Sequence, residues 1–255
     1  MVFLDRTTII VPPDWQERVD KKLPDPAAYQ RKAREFESLP INDTRRRAGF
    51  TRYAPEVLPT SRRRPAFPEV WKSDKRVKDA FDAWSNGKCA YCESPINARR
   101  SEHVEHFKPK SLFPSLAYDW INYFLSCDGC NGAKFNKWPD TGEYVRPDQR
   151  KPETLFVFDD GGGMSALPAA SNAQRTVDDF GLDRSGLRRF RQVAIHNQLK
   201  MLRRVIGTSL PMKEKRQLAQ DIVRGAEDPK MPYSQALGQN LRRVWHEHFP
   251  DVSLF

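Results

Sequence analysis

All four cysteines of the chain lie in one stretch, Lys88 to Lys134, as two Cys-x-x-Cys pairs: Cys89/Cys92 and Cys127/Cys130. Two thiols at that spacing form a tight knuckle that aims both sulfurs at one point. Two knuckles together complete a tetrahedral zinc site, Zn²⁺ on four thiolates. Closing it folds the intervening loop back on itself. Zinc binding in small zinc domains is worth about 10–16 kcal/mol, against about 5–15 kcal/mol for the stability of a whole domain. The fold of this loop should therefore depend on the metal. A shell of four thiolates leaves no open position, so this zinc braces the chain and does not react. The same cysteines could form two disulfides only in a secreted chain. The opening residues MVFLDRTTIIVPP are interrupted by Asp5 and Arg6 and lack a secretory apolar core. No apolar run approaches the roughly 20 residues needed to span a bilayer. A cytoplasmic location with reduced thiols is expected.

Lysine and arginine number 43 against 33 aspartates and glutamates, a net charge of +10 over 255 residues. A basic excess of this size favours a polyanionic partner, nucleic acid ahead of membrane, although a solvated basic surface is the plainer reading. Around the cysteine stretch the signals are mainly helical. Asp14 to Glu17 has capping-box spacing and opens a short helix stopped by Pro24. Asp25-Pro26 starts a second helix, to about Leu39. Residues 40–70 carry Arg45 to Arg47, Arg62 to Arg64 and several prolines without sustained period, and read as an extended basic segment. Ser73 is placed to cap a helix with Val77, Ala80, Phe81 and Trp84 on one face, ended by Gly87. Thr154–Phe158 and Met164–Leu167 read as a hairpin around Asp159–Gly163. A long basic helix follows, with Leu187, Phe190, Ala194, Leu199, Leu202 and Ile206 as its apolar stripe, then two more helices near 212–224 and 234–247.

Inside the cysteine stretch, His103 to Phe107 reads as a strand broken by Pro109. Trp120 to Leu125 is the second strand or the approach to a helix, and the helix starts at Cys127. A hairpin and a helix stapled by zinc make a ββα-metal unit. Its polar residues suit phosphodiester hydrolysis, which needs an activated water, a cation on the phosphate and stabilisation of the leaving oxygen. His106 is the general-base candidate, since imidazole alone titrates near neutrality unperturbed. Glu105 and the Asn131 carbonyl are hard oxygen donors for Mg²⁺ or Mn²⁺. Lys108, Lys110 and Lys134 are candidates for contact with nucleic-acid phosphates. A strict strand puts Glu105 on one face with His103, and His106 on the other with Glu102. For Glu105 and His106 to share a site the strand must twist or end there, which makes His103 a rival metal ligand.

The order of these residues resembles the HNH endonucleases: Cys89/Cys92, Glu105-His106-Phe107-Lys108-Pro109, Asn122, then Cys127/Cys130-Asn131 with Lys134. The flanking runs VWKSDKRVKDAFDAWSNGKCAYCE, HFKPKS and NAQRTVDDFGLDRSGLRRFR are similar to the HNH nucleases of Septu and retron anti-phage systems. The resemblance implies catalytic roles for His106, Glu105 and Asn131, and a loop-holding role for Asn122. It also implies a DNA substrate and a partner ATPase of the ABC or SMC type. The chain has no P-loop motif G-x4-G-K-[ST], so nucleotide hydrolysis would come from that partner. Two departures stand out: Glu105 replaces the more usual Asp, and Asn131 the more usual His.

The expected fold is α+β and mostly helical. A basic N-terminal region (1–72) precedes a zinc-braced HNH core (73–140), and a hairpin with basic helices (141–255) follows. The expected function is metal-dependent DNA hydrolysis in anti-phage defence. Two other readings fit the same residues: a zinc-dependent nucleic-acid-binding module without catalysis, and an HNH nuclease acting on RNA.

Overall fold

The computed structural model describes residues 4–96, 102–148, 151–168, 170–251 and 254. After a 3-10 turn at Arg6–Thr8 come the first two α-helices, the short α1 (Trp15–Asp20) and α2 (Pro26–Glu37). Asp25 caps α2 by accepting from the Ala28 N–H, and Pro26 fills the first position, where no donor is needed. Asp14 makes no such cap on α1; its carboxylate pairs with Arg76 at 3.0 Å. α2 buries Tyr29, Ala33 and Phe36.

The segment expected to be merely extended is built from elements too short to show a period. Asp43 caps α3 (Thr44–Ala48), and Gly49, at φ +88°, turns the chain into α4 (Phe50–Tyr53). Phe50 packs edge-on to Tyr29 and Phe36. Arg46, the middle residue of the Arg45–Arg47 run, is buried and donates to the carbonyls of Glu37 (2.9 Å) and Leu39 (2.7 Å), closing the end of α2. A hairpin of two-residue strands follows, β1 (Thr60–Ser61) and β2 (Arg64–Pro65).

Next come α5 (Val70–Ser73) and α6 (Lys75–Ser85). Ser73 ends α5, and the cap of α6 is its neighbour Asp74, which accepts from the Arg76 N–H. α6 buries Val77, Phe81 and Trp84. Asn86 ends it in the left-handed region, and the chain passes straight into Cys89. The central hairpin pairs β3 (Glu102–His106) with β4 (Tyr123–Cys127), antiparallel, with Glu105 opposite Phe124 and His106 opposite Tyr123. Every residue of β4 is buried. α7 (Asp128–Lys134) leaves directly from it, completing the ββα unit.

The C-terminal part holds the hairpin β5 (Phe156–Phe158) and β6 (Met164–Ala166), then α8 (Ser171–Asp179), α9 (Ser185–Ile206), α10 (Met212–Glu227) and α11 (Ser234–His248). The buried face of α9 is Leu187, Arg191, Ile195, Leu199 and Leu202. Phe190, assigned to that face from the sequence, is 52% exposed. Arg191 takes the inward place because its guanidinium donates to the carbonyls of Leu182 (2.7 Å) and Gly162 (3.2 Å) and lies over the Phe158 ring. The architecture is mostly helical with small sheets, and its buried apolar residues join in one core from Leu4 to Leu254. Among the described residues no helix is long and apolar enough to cross a membrane.

Candidate active site

The four cysteine sulfurs lie within 4.8 Å of one another, and all four residues are buried. Cys92 Sγ and Cys127 Sγ are 3.7 Å apart. A tetrahedral zinc with Zn–S of about 2.3 Å requires sulfur–sulfur edges of about 3.8 Å, whereas a disulfide bond measures about 2.05 Å. The donor set therefore fits zinc. The first knuckle is fixed by Cys89 N–H on the Ser94 carbonyl (3.0 Å) and Ala90 N–H on the Leu125 carbonyl (2.9 Å) of β4. In the second, Cys127 ends β4 and Cys130 lies in the first turn of α7. Arg184, far along the chain, lays its guanidinium over these thiolates, Nη1 3.5 Å from Cys130 Sγ and Nη2 3.8 Å from Cys127 Sγ. Four thiolates around Zn²⁺ would carry a net double negative charge, which this guanidinium is placed to offset. Gly129 makes room for it: a Cβ there would fall 2.7 Å from Arg184 Nη2.

β3 keeps strict strand alternation. His103 and Glu105 point at α7, where His103 Nε2 lies 2.5 Å from Asp128 Oδ1 and Glu105 Oε2 accepts from Lys134 Nζ at 3.0 Å. The Tyr91 hydroxyl, from between the knuckle cysteines, donates to the other oxygen of Glu105. His106 faces the opposite way, edge-on to Trp71 and Tyr123 with ring centres 4.5 and 5.0 Å apart. The strand does not twist to bring Glu105 and His106 onto one face. The shared space lies beyond it, a cleft of about 240 Å³ lined by both residues together with His103, Asn131, Lys110 and Trp71.

His106 is held in one chemical state. Its Nε2 lies 2.9 Å from the Ala117 carbonyl, which only accepts, so Nε2 carries the hydrogen and Nδ1 keeps the lone pair. Burial, reinforced by the Lys110 ammonium, keeps the imidazole well below its usual pKa and hence neutral. Asn122 anchors the loop that supplies Ala117. Its Oδ1 accepts from Lys108 N–H (2.8 Å), and its Nδ2 donates to the carbonyls of Lys108 (3.0 Å) and Leu116 (3.1 Å).

The three lysines fall in different places. Lys134 is 1% exposed, and its ammonium is committed to Glu105 and to the His106 carbonyl at 2.6 Å. Lys108 reaches Glu143 at 2.6 Å over the Trp138 ring. Lys110 lines the cleft, 5.1 Å from the Trp71 ring centre. Glu105 spends one hydrogen bond on each oxygen and keeps further lone pairs, and Asn131 lies half-exposed on the cleft wall. Two hard oxygen donors with room for waters and phosphate suit Mg²⁺ or Mn²⁺, and the ring nitrogen of His103 is taken up with Asp128. Sequence reasoning passed over Tyr91, Trp71 and Ala117, and took Arg184 only as one basic residue of the long C-terminal helix, not as a partner of the cysteines. The first three act through contacts that no spacing rule encodes. Arg184 had a signal, because it lies within the flanking run NAQRTVDDFGLDRSGLRRFR.

The β3–β4 hairpin, the helix leaving it and the four-cysteine cluster behind them make a ββα unit of the zinc-braced kind. Residues 89–137 match the model of the HNH endonuclease family. Septu protein PtuB of Bacillus mycoides (strain KBAB4) is 29% identical over 174 residues, 56% of this chain and 59% of that protein. Septu protein PtuB of Bacillus thuringiensis is 42% identical over 59 residues, 23% of each chain. A retron Vc95 protein of Vibrio cholerae serotype O1 biovar El Tor, which carries an HNH endonuclease name, is 26% identical over 140 residues, 51% of this chain and 68% of that one. The match thus spans 59% and 23% of the two Septu relatives' own lengths.

Proposed function

We propose that this chain is a metal-dependent endonuclease that hydrolyses DNA phosphodiester bonds in the cytoplasm, as the nuclease of an anti-phage defence system with an ATPase partner. The observation that carries the reading is His106, neutral in the cleft with Nε2–H on the Ala117 carbonyl and a lone pair left on Nδ1. Nδ1 takes a proton from water as the oxygen attacks phosphorus, and the Ala117 carbonyl steadies the imidazolium that forms. A hard cation held by Glu105 and Asn131 would supply charge neutralisation at the phosphate and the leaving oxygen. Tyr91 and Lys134 orient the Glu105 carboxylate, Asn122 keeps the His106 loop in place, and Lys110 adds positive charge to the cleft. The defence setting and the partner rest on the Septu and retron names of the relatives.

The test is cleavage of plasmid DNA with Mg²⁺ or Mn²⁺, with matched single-stranded DNA and RNA beside it. General-base catalysis contributes about 10²–10⁴-fold, so His106→Ala should lose at least about 100-fold in rate while keeping its zinc. Equal cleavage by wild type and His106→Ala would sink the assignment.

A further inference from the structure

A second depression, a groove of about 950 Å³, adjoins the cleft and shares Lys110 with it as a common wall. Its other side is the β1–β2 hairpin, with Arg62 and Arg64 in the lining. Arg62 and Arg63 are the two central residues of the turn, at φ +49° and +66°. Two positive φ values in a two-residue hairpin loop mark a type I′ turn, where Asn-Gly or Gly-Gly is the low-strain choice. Two arginines there cost backbone energy that a purely structural loop would avoid. Residues Thr60 to Arg64 are all exposed, and among the described residues no carboxylate pairs with Arg62, Arg63, Arg64 or Lys110 at ion-pair distance. The one carboxylate of the groove, Glu69, is paired to Lys72 at 2.7 Å. Its one aromatic ring, Phe67, is buried beneath the Lys110 ammonium. The groove thus offers cations and no open ring on which an unpaired base could stack, unlike single-strand binders.

We infer that the β1–β2 hairpin is a backbone clamp: Arg62, Arg63 and Arg64, with Lys110 at the junction, hold the phosphates of duplex DNA beside the scissile bond. The inference rests on the nuclease reading above and extends it to how the substrate is held. Direct contact with phosphates positions a duplex without reading its bases, so the clamp acts on any sequence.

Fluorescence anisotropy with a labelled DNA duplex, over a series of salt concentrations, tests it on the full chain. Each phosphate contact contributes about 0.9 to the slope of log K against log salt, so Arg62→Gln/Arg64→Gln should lower the slope by about 1.8. Lys213→Gln/Lys230→Gln, the same charge change on two exposed lysines away from the groove lining, should leave the slope within about 0.5 of wild type. Arg62→Asn/Arg63→Gly gives the turn its preferred residues, so it should hold or raise the thermal midpoint while weakening duplex binding. A merely structural loop would not separate those two readouts. Unchanged slopes in both hairpin variants, equal losses in the lysine control, or no duplex binding by wild type would each overturn the clamp. Loss of cleavage in His106→Ala alongside unchanged hairpin slopes would remove the clamp and leave the nuclease standing.

Discussion

The β3–β4 and β1–β2 hairpins obey opposite rules. β4 is buried along its whole length, and β3 spends its charges on named partners: Glu105 on Tyr91 and Lys134, His103 on Asp128. β1–β2 is exposed from Thr60 to Arg64, only two residues deep on each side, and carries arginines that pair with no carboxylate among the described residues, two of them in a turn that strains them. A charge fixed on every side can hold a reacting group to a fraction of an ångström. A charge left in water can follow an irregular polyanion. On the proposed reading, chemistry and contact fall to differently built parts of one surface, joined at Lys110.

The contrast breaks most severely if zinc is removed. Structural zinc contributes on the order of 10 kcal/mol to small metal domains, more than a hairpin of this size can recover. Stripping the metal with a strong chelator, or Cys127→Ser, should abolish hydrogen-exchange protection across β3–β4 and lower the thermal midpoint sharply. A chain shown to be metal-free that still melts at the wild-type temperature would refute the clamp role of the cysteines. Next in size is Lys134→Met. Removing one partner of a buried ion pair costs about 3–5 kcal/mol, because the other charge is left uncompensated. Denaturant unfolding should show that loss, and Lys134→Met/Glu105→Gln should be more stable than the single variant. If the double variant is the weaker of the two, the pair is not what stabilises this strand.

How much of this was legible in the sequence follows the same divide. The zinc cysteines, β3, α7 and the long helix α9 are each announced by a local rule: x2 spacing, a short mixed run stopped by a proline, a knuckle at a helix start, or a 3.6-residue stripe with a glycine stop. β4 is buried at every residue, so it shows no alternation, and Trp120 to Leu125 reads equally as a strand or as the approach to a helix. Residues 43–65 were not legible, because helices of four or five residues and strands of two are shorter than any period. The place of Arg191 in the α9 core was hidden for another reason. Its burial depends on two carbonyls supplied by Leu182 and Gly162, which only the tertiary fold brings within reach. Within the site, residue types and order were readable, but partners were not. Lys134 reads from the sequence as a phosphate contact, whereas the fold buries its ammonium 3.0 Å from Glu105, a partner that nothing in the local spacing announces.

The smallest of the expected effects lies in the segment that joins the two hairpins. Asp74, 5% exposed, caps α6 and receives Arg76 Nη2 at 2.8 Å and Arg18 Nη1 at 3.1 Å. The Arg76 hydrogen bonds hold its carboxyl below the usual aspartate value of 3.8, against an opposing effect of burial. Since the folded pKa is lowered, the ionised group stabilises the fold above the unfolded pKa, and that contribution fades as pH falls through the folded value. Asp74→Asn keeps a capping oxygen and removes only the charge. Both arginines are more than a third exposed, so solvent screening limits the loss to about 1 kcal/mol at pH 7. The gap in thermal midpoint between wild type and variant should therefore be full at pH 7 and pH 5 and narrow below about pH 4. A gap that stays constant down to pH 3 would mean that the capping geometry, and not the buried charge, is what ties the N-terminal helices to the helix that delivers Cys89.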